Sequence, residues 1–136
     1  MSTAGLRRRT ALIVESDRCR SDLAAMMMKE FDLEITQVAD ADDAIDHLCA
    51  SPSGVDIALI EMSLDGSMDG LALARRISVL WPTMSVIVTS RTVCSGDAPA
   101  LPSRTTFVRK PCRPLDIVAA TANAARADHS LRSLRF

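Results

Sequence analysis

The chain has 136 residues, 48% of them hydrophobic and 24% charged, with a formal net charge of -1. That length suits one domain able to bury its own core without metal or disulfide staples, and the composition excludes a disordered chain. The charge balance argues against general nucleic-acid binding, since Arg7-Arg8-Arg9 and Leu131-Arg132-Ser133-Leu134-Arg135-Phe136 read as solvated tails.

Cys19, Cys49, Cys94 and Cys112 are scattered without a Cys-x-x-Cys pair, and His47 and His129 stand alone. This is the pattern of reduced intracellular thiols, with neither a zinc site nor a disulfide framework. No apolar run approaches the roughly 20 residues of a membrane span, and no signal-peptide core follows the N-terminal arginines. A cytoplasmic protein with no membrane and no nucleic-acid partner is expected.

In chain order, residues 1–9 form a polar, flexible tail, and Thr10-Ala11-Leu12-Ile13-Val14 is a first apolar strand stopping at Glu15-Ser16-Asp17. Arg18 to Phe31 follows as a helix, with Asp17 as N-cap and Cys19, Leu23 and Met27 at helical spacing. Met26-Met27-Met28 is expected to fill core gaps. Glu34 to Ala39 is a short strand, and Asp40 caps a second helix to Cys49 with Ala44, Ile45 and Leu48 inward. Ser51-Pro52-Ser53-Gly54 is a turn leading into the strand Val55 to Ile60, which ends on Glu61. Ile57-Ala58-Leu59-Ile60 is apolar at every position, as in a central strand covered on both faces.

After the loop Met62 to Asp69, Gly70 to Trp81 carries Leu71, Ala74, Ile77 and Trp81 on one helical face, and Pro82 ends it. Ser85-Val86-Ile87-Val88-Thr89 is another buried strand closing on the hydroxyls of Thr89 and Ser90. Arg91 to Arg104 contains Gly96, Pro99 and Pro102 and predicts a loop with at most a turn or two of helix. Thr105-Thr106-Phe107-Val108-Arg109 is a last strand, Lys110-Pro111 breaks it, and Leu115 to Ala127 closes the domain as a helix with Leu115, Val118, Ala119 and Ala122 inward. Residues 10–127 thus make one α/β domain, and 128–136 a C-terminal tail.

Alternation of strand and helix predicts a parallel sheet with helices on both faces and right-handed crossovers. Loops at the carboxyl ends of the strands then gather, bringing Glu15, Ser16, Asp17, Glu61, Thr89, Ser90 and Lys110 toward one pocket.

These residues resemble the receiver domain of two-component and phosphorelay response regulators over about Thr10 to Ala127. The acidic turn is Val14-Glu15-Ser16-Asp17, the phosphoacceptor segment Asp56-Ile57-Ala58-Leu59-Ile60-Glu61, and Met68-Asp69-Gly70 looks like the family's loop before the third helix. Val88-Thr89-Ser90 matches the switch hydroxyl, Phe107 the switch aromatic, and Lys110-Pro111 the phosphate-contacting lysine and its proline. The resemblance implies a flavodoxin-like, doubly wound five-stranded sheet in the order 2-1-3-4-5, here with a weak or irregular fourth helix. It also implies phosphoryl transfer from a histidine kinase to an aspartate, with Mg²⁺ held by the acidic turn.

Two departures fall on that chemistry. Glu61 stands where the family has its phosphoacceptor aspartate, and Ser16 where it has the acid that ligates the metal. A glutamate carries its carboxylate roughly 1.5 Å further out, and a 1 Å misplacement costs on the order of a hundredfold in rate. A neutral hydroxyl lowers affinity for Mg²⁺, which prefers charged oxygens in octahedral geometry. The residual metal set is Glu15, Ser16, Glu61 and Ser63, so no cofactor is expected and Mg²⁺ would bind weakly. The extra methylene also pushes charge outward to where a phosphoryl group would lie. Glu61 then imitates phosphorylation: Lys110 pairs with it, Thr89 turns inward to it, and Phe107 follows. The competing reading is a receiver that no longer switches.

The expectation is a stand-alone, non-enzymatic receiver-like domain acting by contacts with a histidine kinase or other signalling protein, since only nine residues follow Ala127. Arg91 to Arg104 remodels the family's usual contact surface, which implies an unusual partner and leaves a homodimer open. One alternative is a phosphorylatable, Mg²⁺-dependent receiver. Another is a flavodoxin-like small-molecule-binding module, although Glu15-Ser16-Asp17 would repel the phosphates such modules hold.

Overall fold

The computed structural model describes residues 9–51, 54–90, 102, 104–109 and 119. Among them, five strands form one parallel sheet in the order β2-β1-β3-β4-β5. They are β1 (Thr10–Val14), β2 (Glu34–Val38), β3 (Ile57–Glu61), β4 (Ser85–Ser90) and β5 (Thr105–Arg109). The helices are α1 (Arg18–Met28), α2 (Ala41–Ala50) and α3 (Gly70–Leu80), and a 3-10 turn at Lys29–Phe31 extends α1. This is the flavodoxin-like arrangement that the alternation and the family resemblance predict.

Strand periodicity divides the core into two layers. Leu12, Val14, Ala58, Ile60, Val86 and Val88 face α2 and α3, meeting Ala44, Leu48, Leu73, Ala74 and Ile77. The intervening Ala11, Ile13, Ile57, Leu59 and Ile87 face the other way and meet Ala25 and Met28 of α1. A strand covered on both sides has no solvent face to mark with polar residues, so its sequence is apolar throughout. The edge strand β2 is only half-buried, and its first residue, Glu34, is exposed. Arg9, read as the end of a tail, joins the sheet, because its carbonyl accepts from Glu34 N–H at 2.9 Å.

All three helix starts follow from their caps. Asp17, Asp40 and Asp69 accept from the N–H groups of Arg20, Asp43 and Ala72 at 2.9, 2.8 and 2.8 Å. Each satisfies a donor that the first helical turn leaves without an internal partner. Trp81 closes α3, donating its N–H to the Ile77 carbonyl at 2.7 Å, and Pro82 follows.

Two helix faces differ from expectation. The inward stripe of α1 is Ser21, Ala25 and Met28, while Cys19 is exposed and Leu23 is 52% exposed. Of the residues read at helical spacing, Cys19 and Leu23 lie outside, while Met27 packs partly buried against this layer. Of the methionines, Met28 is fully buried and Met26 is 66% exposed. On α3 the buried residues are Gly70, Leu73, Ala74 and Ile77, and Leu71 and Trp81 are half-buried. Ala119, expected inward, is helical and exposed. The rest of the expected closing helix, Lys110-Pro111, residues 1–8, the C-terminal tail 128–136 and most of Arg91 to Arg104 lie outside the described residues.

Gly70 fixes how α3 meets the sheet. A Cβ added there would stand 2.1 Å from the Glu61 carbonyl oxygen and 2.7 Å from Met62 Cα. The Gly70 N–H donates to the Met62 carbonyl at 2.8 Å, and Met62 N–H donates to the Thr89 carbonyl at 2.7 Å. The helix start therefore rests directly on the backbone that carries Glu61.

Met28→Ala is expected to cost about 2–5 kcal/mol in urea unfolding by opening a core cavity, whereas Leu23→Ala and Met26→Ala should stay within about 0.5 kcal/mol. Gly70→Ala should cost about 3 kcal/mol by overpacking against backbone, with amide shifts at Glu61 and Met62 as its signature. The Asp17 carboxyl is held below its ordinary 3.8, chiefly by the Arg20 backbone N–H, against an opposing effect of desolvation and with further help from the Arg20 charge. Its contribution is complete above that value and is lost as pH falls through the lowered folded value. Asp17→Asn keeps the cap without the charge, so it should flatten this acid limb when the Arg20 amide resonance is followed from about pH 5 to pH 2.

Candidate functional site

Glu61 ends β3 at the carboxyl edge of the sheet, buried to 5% exposure between β1 and β4. The β3–β4 register sets it directly beside Thr89. Continuing the alternation of Ile57, Leu59 and Ile87, both side chains lie on the α1 side of the sheet. Thr89 Oγ1 donates to Glu61 Oε2 at 3.0 Å in a buried bond, and the Ser63 N–H donates to Oε1 at 3.3 Å. Hydrogen bonds to a carboxylate are stronger than those between neutral groups. The pair therefore holds its geometry.

The turn after β1 is placed by Glu15, whose N–H donates to the Val38 carbonyl at 3.1 Å. Glu15 Oε2 accepts from Asp17 N–H at 3.1 Å. Asp17 is turned toward α1, capping it and standing 3.6 Å from Arg20 Nη2. Ser16 Oγ donates to the Ala39 carbonyl at 3.1 Å and accepts from Asp65 N–H at 3.4 Å. These loops enclose a cleft of about 480 Å³ lined by Glu15, Ser16, Asp17, Glu61 and Ser63, together with Arg20 and Asp65. Among the described residues, four carboxylates face one guanidinium, a lining that by itself disfavours an anionic ligand.

The family resemblance implies Mg²⁺ at this place, and the donor set does not fit it. Ser16 offers only a neutral hydroxyl, already bonded to Ala39 and Asp65, and Asp17 is bent back to cap α1. Glu15 and Glu61 remain as carboxylates, each already accepting a hydrogen bond. Among the described residues no group of three His, Cys, Asp or Glu is placed to hold a metal. Mg²⁺ demands a near-octahedral shell of hard oxygens, which this arrangement does not offer.

Of the residues singled out in the sequence, the structure gathers Glu15, Ser16, Asp17, Glu61, Ser63 and Thr89. Ser90 is fully buried beside them in β4. Phe107 is half-buried against the cluster under α2 and α3, on the opposite face from the Glu61–Thr89 pair. Lys110 lies outside the described residues. Arg20 and Asp65 were not anticipated. Arg20 stands three residues beyond an acidic N-cap, which is the signal that would have pointed it back to the turn. The Ala39 carbonyl has no sequence signal, since any residue supplies one.

Comparison with known proteins places the chain. The response regulator receiver domain matches residues 11–122. Among solved structures, the signal receiver domain of an HD domain-containing protein from Pseudomonas fluorescens Pf-5 is 21% identical, with a TM-score of 0.76, covering 91% of this chain and 99% of that one. A CheY-like response regulator receiver domain protein from Methanospirillum hungatei JF-1 is 17% identical, with a TM-score of 0.76, covering 91% and 98%. NtrX from Brucella abortus, solved with ADP, is 22% identical with a TM-score of 0.79; the match covers 94% of this chain and 29% of that longer one. None of the curated proteins matches. The chain belongs to the response regulator receiver domain family of two-component signalling.

Proposed function

We propose that this domain signals by contact with a histidine kinase or another signalling protein, with Glu61 at the phosphoacceptor position standing in for the phosphorylated residue. The observation that carries the reading is the buried 3.0 Å bond from Thr89 Oγ1 to Glu61 Oε2. A switch hydroxyl that follows a new negative charge is already engaged, and no phosphoryl group is needed to draw it in. The additional methylene of Glu61 supplies the reach.

Phosphoryl transfer to Glu61 is disfavoured on the same geometry. Both carboxylate oxygens accept hydrogen bonds from Thr89 and Ser63, and the metal set that would neutralise the incoming group is incomplete. In-line attack depends on reacting atoms placed to within about 1 Å. On this proposal the domain is non-enzymatic, works inside the cell with its kinase or partner, and needs no bound cofactor.

Incubation with acetyl phosphate and Mg²⁺ should leave the intact mass unchanged; a base-labile adduct of one phosphoryl group mapped to Glu61 would overturn the reading. Thr89→Ala strands a buried carboxylate oxygen and should cost about 1–3 kcal/mol in urea unfolding, with Thr89→Ser restoring most of it. Equal stability of all three proteins would show that the bond does not hold the site.

A further inference from the structure

A hydroxyl holds the loop after β1 at the position where the family resemblance implies a metal-ligating acid. Ser16 Oγ reaches two other loops at once: it donates to the Ala39 carbonyl after β2 and accepts from Asp65 N–H after β3. A hydroxyl both donates and accepts, whereas an ionised carboxylate only accepts. An acid at position 16 could take the Asp65 N–H, but it would set oxygen against oxygen at Ala39. The neighbouring acid does not substitute for it, because Asp17 is engaged with Arg20. Three loops at the sheet edge are therefore tied through one neutral atom.

We infer that Ser16 is a staple that fixes the cleft without a divalent cation, and that its hydroxyl is the group that makes the site metal-independent. This rests on reading the cleft as a receiver site, and it deepens the proposed function. A Glu61–Thr89 bond formed without a phosphoryl group has no transferred charge for a cation to neutralise. The loops a cation would otherwise gather are held by hydrogen bonds instead.

The test uses the ¹⁵N-labelled full chain and its variants Ser16→Asp, Ser16→Ala and Ser16→Thr, titrated with Mg²⁺ for chemical shifts and Mn²⁺ for paramagnetic broadening. Wild type should show no saturable response at amides 15–17 and 61–65. Ser16→Asp should bind about tenfold or more tightly than wild type, since ligand charge count sets affinity at such sites. Ser16→Ala should shift the amides of Asp40 and Asp65 and speed exchange at Asp65, and Ser16→Thr should restore both. Saturable, localised binding by wild type would overturn metal independence. No gain in Ser16→Asp would overturn the role given to the hydroxyl, and unchanged loops in Ser16→Ala would overturn the staple. Metal binding by a wild type that still refuses phosphoryl transfer would sink this inference while leaving the proposed function standing.

Discussion

A carboxylate at the end of a strand buried on both faces has to be supplied with donors, and Glu61 sets that requirement for the residues around it. Burying an unpartnered charge is costly, so the register of β3 against β4 matters more than the identity of either strand. It sets Thr89 beside Glu61, and the loop that follows turns back so that the Ser63 N–H reaches the second oxygen. The turn is possible because Gly70 brings α3 against the Glu61 carbonyl, where a side chain would not fit. Strand pairing, loop and helix start thus form one connected unit around a single charge.

The sheet was legible in the sequence because its signals are local. Runs such as Leu12-Ile13-Val14 and Ile57-Ala58-Leu59-Ile60 are apolar at every position only when both faces are covered, and α1, α2 and α3 each begin at an aspartate whose side chain caps the helix. Helix faces were less legible. On α1 the core takes Ser21, Ala25 and Met28 and leaves Leu23 outside, while Met27 packs at its margin. Apolar spacing alone does not mark a stripe that includes a serine and an alanine.

The site was half legible for a related reason. Glu15, Ser16, Asp17, Glu61 and Thr89 could be placed at strand ends from the pattern, and topology brings strand ends together. The hydrogen bonds that give the cleft its character are mostly to backbone groups: Ala39 carbonyl, Asp65 N–H, Ser63 N–H and Arg20 N–H. Backbone donors and acceptors are identical at every residue, so sequence carries no trace of which one a side chain will find. Ser16 illustrates the difference. From sequence it is a missing acid; in the fold it is a donor and an acceptor at once.

Whether Glu61 holds a switch or merely fills a retired site turns on what the fold itself needs at that position. The neighbouring positions of β3 are buried and apolar, and a group of similar volume without charge would satisfy the packing. Replacing buried charged groups by well-packed apolar ones is often neutral or stabilising, so the core gains nothing from a carboxylate there. A site serving only as filler has no need of a hydroxyl donor on the adjacent strand and a backbone donor in the following loop. Both reach the Glu61 carboxylate. That convergence on the carboxylate is what supports the proposal of a charge in use over one that only fills space.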